Sequence, residues 1–204
     1  MAIVLIRHGE TPSNAARIVQ TPDTPLSPRG VRQAERLGRR LAQSGATRIL
    51  SSDLTRALMT AGCLHAETGA PVSIDSGLQE RNFGDLRGRA YADLGFNMFA
   101  PDYVPPRGEG WGEFHARVDA VWQRVLAVAQ ETDGNLLVVT HGLVCYSLAL
   151  RHLRLPAGVA APERWENTSV TIVANEPPWP VSVLNCTEHL DEEIAADPSS
   201  SSGS

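Results

Sequence analysis

A segment made of a short apolar run, one polar residue and then His-Gly occurs twice in this chain of 204 residues. The two copies are residues 3–9 and residues 136–142. An apolar run of this length, with polar or helical sequence on both sides, is typical of a strand buried on both faces, as in parallel α/β sheets. Such sheets place their ligand sites beyond the carboxyl ends of the strands. We therefore expect His8 and His141 to lie side by side at one end of a parallel sheet.

The rest of the chain alternates strand and helix signals, which predicts an α/β fold. The predicted strands are residues 3–6, 48–51, 72–74, 136–139, 169–174 and 181–184. The predicted helices are one from Ser27-Pro28 to Gly45, one capped by Ser52 and Asp53 that ends at Gly69, residues 113–129 and residues 143–153. Pro180 indicates an edge position for the last strand. We expect one domain over residues 1–193, with a cap inserted at about residues 86–112, and a disordered tail at residues 194–204.

Composition excludes several classes of function. With 42% hydrophobic and 20% charged residues the chain is typical of soluble globular proteins, and no apolar run approaches the ~20 residues of a membrane span. No signal peptide is evident. The three cysteines are widely separated, so we expect small buried thiols and no disulfide framework. Both features predict a cytoplasmic protein. The net charge of −5 gives no electrostatic reason to bind nucleic acid. All 18 basic residues are arginine, which excludes Walker A and Schiff-base lysine chemistry.

Polar residues that could act on a phosphate ester follow the predicted strands. A neutral imidazole nitrogen of His8 can attack phosphorus and form a covalent intermediate. Arg56 lies in the first turn of a predicted helix, whose positive N-terminus also favours an anion. Glu80 follows the third strand, and a carboxylic acid there can protonate a leaving alkoxide and later activate water. His141 adds a second imidazole, and Asn14 adds an amide donor.

Each of these residues, taken alone, has a structural alternative. His8 can bond a neighbouring backbone group, and His141 can cap a buried strand. Arg56 can form a surface ion pair with Asp53. Asn14 can be an ordinary turn residue, and Glu80 can be an ordinary surface residue. Only the combination of the residues distinguishes a site from these alternatives.

In combination, the residues resemble the histidine phosphatase superfamily, which is also called phosphoglycerate-mutase-like. The matching stretches follow the family's order: residues 7–11 with Asn14, residues 23–27 with Gly30, Gln33 and Ala34, residues 51–54 with Arg56 and Ala57, residues 78–84 with Gly88, and residues 139–142. They extend over about residues 3–173 and are jointly highly specific. The resemblance implies a three-layer sandwich, in which helices flank a mostly parallel central sheet, with a small inserted cap.

The resemblance also implies roles. His8 would be phosphorylated during turnover, and Glu80 would be the general acid and then the base for water. The implied catalytic set is His8, Glu80, His141, Arg7 and Arg56. The implied substrate-binding set is Arg7, Asn14, Gln20, Thr21, Arg56, Glu80, His141 and Gly142. Arginine and histidine can stabilise the charge on phosphoryl oxygens without a metal, and the arginines would repel a zinc ion, so no metal and no cofactor is expected.

Two departures from the family bear on the choice of substrate. The family often has Gly where this chain has Thr21, and usually Ser or Thr where it has Gly110. The cap is expected to select the substrate through aromatic and basic side chains, namely Tyr91, Phe96, Phe99, Tyr103 and Arg107.

The interval between Glu80 and His141 separates two kinds of reaction. Cofactor-dependent mutases of the family have a longer insertion there, with basic residues that shield phosphohistidine from water. This interval is short and contains no lysine, and a more open site favours hydrolysis. The expected function is a phosphoric monoester hydrolase acting on a small phosphorylated metabolite, its one predicted partner. A phosphoglycerate mutase and a non-catalytic phosphate-binding protein remain alternatives, and the sequence is compatible with a homo-oligomer.

Overall fold

One mixed sheet of six strands organises residues 1–190, the part of the chain that the computed structural model describes. The strands are β1 (Ala2–Arg7), β2 (Ala46–Ser51), β3 (Val72–Ile74), β4 (Asn135–Thr140), β5 (Val170–Ala174) and β6 (Val181–Cys186). Their order across the sheet is β3-β2-β4-β1-β5-β6. The first four strands are mutually parallel, whereas β5 is antiparallel to β1 and β6 is antiparallel to β5. The predicted mostly parallel sheet and the edge position after Pro180 are confirmed.

Helices cover both faces of the sheet. They are α1 (Pro12–Ala15), α2 (Pro28–Leu41), α3 (Thr55–Thr68), α4 (Trp111–Gln130) and α5 (Gly142–Arg151). Val4 and Ile6 of β1 pack in a core with α2 and α3, whereas Ile3 and Leu5 pack in a second core with α4 and α5. Successive side chains of a strand point to opposite faces, so the uninterrupted apolar run of β1 contributes to both cores. This arrangement confirms the three-layer α/β sandwich.

The start of α2 agrees with the sequence prediction, and the start of α4 does not. Ser27 caps α2, because its Oγ accepts a hydrogen bond from the Gly30 N–H at 3.0 Å. The helix ends at Leu41, before the predicted stop. α4 begins at Trp111 and not at the predicted Glu113, because the Glu113 carboxylate accepts the Gly110 N–H at 3.1 Å and so belongs to the first turn. The last helix, predicted to continue to residue 153, ends at Arg151.

The predicted cap on α3 is wrong. Leu54 is the residue before the first turn, and no side chain caps the helix. The Asp53 carboxylate instead accepts a hydrogen bond from Gln79 Nε2 at 2.8 Å. The Ser52 hydroxyl is buried and bonds a histidine ring, as described below. The helix ends where predicted, with Gly69 in the left-handed conformation at φ 70°.

Residues 86–112, here called the cap, are joined to the loop after α1 by backbone hydrogen bonds. The Val19 N–H donates to the Arg89 carbonyl at 2.9 Å, and the Gly88 N–H donates to the Val19 carbonyl at 2.7 Å. A small apolar core lies beneath this junction and consists of Val19, Phe83, Leu86, Leu94 and Met98. The cap therefore has a defined position over the carboxyl ends of the strands. The single-domain organisation stays a prediction, and the predicted tail at residues 194–204 lies outside the described residues.

Two further predictions concern membranes and thiols. Within residues 1–190, none of the helices combines the length and apolarity that a membrane crossing requires. All three cysteines are free thiols, which agrees with the absence of a disulfide framework. Only Cys145 is fully buried; Cys63 and Cys186 are partly exposed, so the expectation of three buried thiols is wrong for those two.

Candidate active site

Two imidazole rings lie side by side because β1 and β4 are neighbouring parallel strands in register. Arg7 pairs with Thr140 across the ladder, so His8 and His141 follow at the same end of the sheet. Their ring centroids are 5.1 Å apart, and the ring planes are inclined by 57°. Both residues are buried, with 1% and 0% of their surface exposed. The predicted juxtaposition is confirmed, whereas the roles of the two rings in a reaction stay predictions.

The His8 ring has one nitrogen available for chemistry. Its Nδ1 lies 2.7 Å from the Gly9 carbonyl oxygen. A carbonyl oxygen can only accept, so Nδ1 carries the hydrogen and Nε2 of the neutral ring keeps its lone pair. Burial, and then the charges of Arg56 and Arg7, hold the pKa of His8 well below its ordinary value of 6.5. His8 is therefore a neutral imidazole near pH 7, the form that a nucleophile requires.

Local contacts hold the turn that carries His8. The Gly9 N–H donates to Thr60 Oγ1 at 3.1 Å, and Asn167 Nδ2 donates to the His8 carbonyl at 3.0 Å. A Cβ atom at Gly9 would lie only 2.6 Å from the Gly30 carbonyl oxygen. Glycine is thus required there by the close packing of α2 against the turn.

Two arginines lie next to the imidazoles, and both are oriented by backbone carbonyls. Arg7 Nη1 donates to the Trp165 carbonyl, and Arg56 Nη1 donates to the Thr21 carbonyl at 3.1 Å. The Nε atoms of both arginines are buried and have no hydrogen-bond partner among the described residues. Burial lowers the pKa of Arg56 to about 10, so it is still a cation near neutral pH. Arg56 lies in the first turn of α3, as predicted, and the alternative of an ion pair with Asp53 is wrong.

His141 precedes the first turn of α5 and is held by a serine. Its Nε2 lies 2.9 Å from Ser52 Oγ at the end of β2. Its Nδ1 is buried and has no partner within residues 1–190. Burial, followed by the charge of Arg56 and the neighbouring His8 ring, holds the pKa of His141 well below 6.5. The site therefore contains a third buried nitrogen that lacks a protein partner.

The Glu80 carboxyl group bridges two backbone amides. Oε1 accepts from the Arg81 N–H at 3.0 Å, and Oε2 accepts from the Leu143 N–H at 3.2 Å. Removal from water raises the pKa of Glu80 above its ordinary value of 4.5, although both amides and the charges of Arg56 and Arg7 oppose this shift. A carboxyl group that holds its proton to higher pH is suited to act as an acid.

His8, both arginines and Glu80 line a cavity of about 470 Å³, the size of a small-metabolite site. The predicted substrate-binding residues that line it are Arg7, Asn14, Gln20, Thr21, Arg56, Glu80 and Gly142. His141 does not line the cavity and lies beside the His8 ring. Gln20 Oε1 accepts from Thr11 Oγ1 at 2.8 Å, which leaves its amide nitrogen for a ligand.

Two of the five cap side chains expected to select the substrate line the cavity, and their role in selection stays a prediction. Tyr91 and Phe99 line the cavity, as expected. Phe96, Tyr103 and Arg107 do not line it within the described part of the chain. Phe96 packs against Tyr103 at a centroid distance of 4.9 Å, and Arg107 forms an ion pair with Asp85. An aromatic-rich segment does not reveal which of its rings face a ligand and which support the segment.

Several residues that organise the site were missed from the sequence. Trp165 orients Arg7 through a backbone carbonyl, and Asn167 bonds the backbone of His8. No motif marks either residue: any amino acid can supply the carbonyl of Trp165, and the side-chain amide of Asn167 lies far along the chain from His8. Ser52 carried a usable signal, since a hydroxyl at the end of β2 lies beside the end of β4 in a parallel sheet.

Comparison with known proteins shows the same fold and the same family. A family model described as histidine phosphatase superfamily (branch 1) matches residues 3–185. A Proteus mirabilis protein named probable phosphoglycerate mutase GpmB is 33% identical over 213 residues, covering 97% of this chain and 98% of that protein. The alpha-ribazole phosphatase from Shigella flexneri is 30% identical over 92% of this chain and 97% of its own, with a TM-score of 0.79. A mycobacterial glucosyl-3-phosphoglycerate phosphatase is 27% identical over 91% of this chain and 98% of its own, with a TM-score of 0.75.

The fold and the paired imidazoles place the chain among phosphoglycerate-mutase-like α/β proteins. With the family model matched along nearly its whole length, the chain belongs to the histidine phosphatase superfamily. Members of this superfamily are phosphatases or mutases, and both names occur among the relatives described above.

Proposed function

We propose that this protein is a phosphomonoesterase that transfers the phosphoryl group of a small metabolite first to His8 and then to water. One observation carries the proposal. Three buried nitrogens next to His8, namely Arg7 Nε, Arg56 Nε and His141 Nδ1, have no partner among the described residues. Leaving a buried donor unpaired costs free energy. A bound phosphoryl group would accept from both arginine Nε atoms, and also from His141 Nδ1 when that nitrogen carries the ring hydrogen.

The first proposed step transfers the phosphoryl group to the enzyme. The Nε2 lone pair of His8 forms a bond to phosphorus as the bond from phosphorus to the ester oxygen breaks. The protonated Glu80 gives its proton to that oxygen, so the alcohol leaves as a neutral molecule. The guanidinium groups of Arg7 and Arg56 stabilise the charge on the equatorial oxygens in the transition state.

The second proposed step regenerates the enzyme. The Glu80 carboxylate takes a proton from a water molecule, whose oxygen bonds to phosphorus as the phosphorus–nitrogen bond breaks. Inorganic phosphate leaves, His8 is again neutral, and Glu80 is again protonated. The arginines supply the positive charge for both steps, so the proposed reaction is metal-independent. Location in the cytoplasm stays a prediction from the sequence.

Hydrolysis is favoured over mutase activity by two features. The interval between Glu80 and His141 is short, which leaves a more open site and lets water reach the intermediate. Two of the solved relatives above are named phosphatases. The second candidate is a phosphoglycerate mutase, which the name of the Proteus mirabilis relative favours.

Trapping the phosphoenzyme distinguishes these candidates. The protein is mixed with a phosphate ester labelled at phosphorus, quenched in alkali and assayed for label on histidine. A hydrolase shows transient label on His8 that passes to inorganic phosphate without any added bisphosphate. A mutase retains the label and moves phosphate between the hydroxyl groups of phosphoglycerate.

Two variants control the trapping experiment. His8→Ala should carry no label and release no phosphate. His65→Ala is the matched control, because this imidazole near the end of α3 bonds the Ala70 carbonyl and does not line the cavity, and it should be labelled like the wild type. Phosphate binding without label or release in the wild type would instead identify a binding protein and refute the enzymatic proposal.

A further inference from the structure

The cavity contains more positive charge than the proposed reaction uses. Six arginines line it, Arg7, Arg17, Arg56, Arg81, Arg87 and Arg164, against two acids, Glu80 and Glu163. Arg81 is engaged with the backbone, because its Nε donates to the Glu109 carbonyl at 2.9 Å and its Nη2 to the Tyr103 carbonyl at 2.7 Å. Arg164 lies 3.6 Å from the Glu166 carboxylate. Beyond the two arginines of the reaction, Arg17 and Arg87 therefore remain, and neither pairs with a carboxylate within residues 1–190.

The backbone holds Arg17 in an uncommon conformation over the cavity. Its φ is 51°, in the left-handed region that residues other than glycine rarely adopt. Its N–H donates to the Asn14 carbonyl at 3.2 Å, and its carbonyl accepts from the Tyr91 N–H at 2.9 Å. The guanidinium carbon lies 5.8 Å from the centroid of the Tyr91 ring. Such conformations cluster at ligand sites, where the surrounding structure enforces them.

Arg87 reaches the same cavity from the cap. It directly precedes Gly88, whose N–H donates to the Val19 carbonyl at 2.7 Å, so the junction that fixes Arg17 also fixes Arg87. Its charge lies near enough to contribute to lowering the pKa of Arg56, after the larger effect of burial. Two arginines from separate segments thus line one cavity, and neither forms an ion pair within the described residues.

We infer that the substrate carries a second anionic group, a carboxylate or another phosphate, and that Arg17 and Arg87 bind it in the cavity that holds the transferred phosphoryl group. Tyr91 and Phe99, which line the same cavity, would cover the carbon skeleton between the two anions. This inference rests on the proposed function and narrows its substrate class. If the inference is correct, the alcohol released from the preferred substrate carries a negative charge.

Matched pairs of substrates test the inference. The first pair is 3-phosphoglycerate and glycerol 1-phosphate, which differ in a carboxylate. The second is fructose 1,6-bisphosphate and fructose 6-phosphate, which differ in a second phosphate. The wild type should prefer the more anionic member of one pair in kcat/KM. Arg87→Ala and Arg17→Ala should each reduce that preference about tenfold, the lower end for a charge-assisted hydrogen bond.

The variants also separate the sources of failure. Arg107→Ala is the control, because this side chain is 83% exposed, pairs with Asp85 and does not line the cavity; it should leave the preference unchanged. Arg87→Glu should reverse the preference. If the alanine variants lose the preference only in the first pair, the second anionic group is a carboxylate. If they lose it only in the second pair, the group is a phosphate. A preference that is absent, or that survives both alanine variants, overturns the inference, whereas failure to cleave p-nitrophenyl phosphate at all would overturn the proposed function itself.

A separate observation concerns the proton on His141. Ser52 is fully buried, and its Oγ accepts from the Leu54 N–H at 3.3 Å. For the hydrogen of this hydroxyl, the one acceptor that the described residues offer is His141 Nε2, at 2.9 Å. If Nε2 carried the ring hydrogen, the serine hydrogen would be buried without an acceptor, which costs free energy. We propose that Ser52 is a positioning residue that keeps His141 in the Nδ1–H form.

This tautomer converts the unpartnered Nδ1 of His141 into a donor for the phosphoryl group. Nitrogen-15 NMR of labelled histidine reads the tautomer directly and needs no substrate. The wild type should show hydrogen on Nδ1 of His141, and Ser52→Ala should shift the ring toward the Nε2–H form and lower kcat/KM about tenfold. Ser52→Thr should restore both readings.

The control for this experiment is Ser51→Ala, which removes a hydroxyl that donates to the Ser52 carbonyl at 2.9 Å and does not touch His141. It should leave the tautomer of His141 unchanged. An Nε2–H signal for His141 in the wild type would overturn this assignment even if Ser52→Ala failed to fold. That outcome would remove His141 Nδ1 from the donors of the phosphatase proposal and would leave the two arginine Nε donors in place.

Discussion

Replacing Glu80 by glutamine removes the proton that the proposed first step gives to the leaving group. The shape of the side chain is conserved. Of the two backbone N–H groups that donate to the Glu80 carboxylate, one keeps an oxygen partner. The other faces an amide nitrogen, which should cost about 1–3 kcal/mol of folding stability for an unsatisfied buried donor. The folded variant then retains the cavity, the arginines and His8, and lacks only the acid.

The loss of activity should depend on the leaving group. General acid catalysis contributes about 10²–10⁴-fold, or roughly 2.7–5.5 kcal/mol at 1.36 kcal/mol per decade. An alkyl phosphate, whose alkoxide leaves poorly, should lose that factor in kcat/KM. p-Nitrophenyl phosphate expels a stable phenolate and should lose less than about tenfold. Because kcat/KM reports the steps up to the first irreversible one, it isolates phosphorylation of His8 from hydrolysis of the phosphoenzyme.

Rapid-mixing kinetics provide a second reading. In Glu80→Gln, water attack lacks its base, so the variant should release one equivalent of p-nitrophenolate per active site in a burst and then turn over slowly. Glu163→Gln is the matched control, because it also neutralises a carboxylate that lines the cavity. Glu163→Gln should change kcat/KM for both substrates by the same small factor and show no burst. Equal losses for the alkyl and aryl esters in Glu80→Gln, with no burst, would refute the assignment of Glu80 as the acid.

Three other perturbations have expected outcomes. Arg56→Ala should reduce kcat/KM about 10²-fold, roughly 3 kcal/mol by analogy with a lost oxyanion donor, and a loss below threefold would contradict its proposed role. For an alkyl phosphate, kcat/KM should fall at acid pH only below 6.5, because the pKa of His8 is lowered from that value and the ring must be neutral to attack. It should fall at alkaline pH above a pKa that is higher than 4.5, because the pKa of Glu80 is raised and the acid must be protonated. Glu80→Gln should lack this alkaline decrease. Gly84→Ala should destabilise the cap, measured as a lower Tm, because φ is +51° and a Cβ would lie 2.0 Å from the Pro106 carbonyl oxygen.

Much of the fold was readable from the chain because apolar spacing is a local signal. The runs in β1 and β4 predict buried parallel strands, and the Ser27-Pro28 pair predicts the start of α2; both are confirmed. The pairing of His8 with His141 was also predictable, since two strand-His-Gly segments in one parallel sheet bring equivalent residues to the same end. Errors concentrated at helix ends, where a side chain such as Ser52 has several partners available and the sequence does not select among them.

The sequence by itself determined the strands, the two imidazoles and the arginine in the first turn of α3, because these follow from periodicity and from the geometry of a parallel sheet. Only the tertiary structure decided what orients them. The Trp165 and Thr21 carbonyls hold the arginines, the Ser52 hydroxyl holds His141, and the cap junction directs Arg17 and Arg87 into the cavity. Backbone carbonyls are common to all residues, and the docking of distant segments depends on packing across the whole chain. No local pattern encodes either of them.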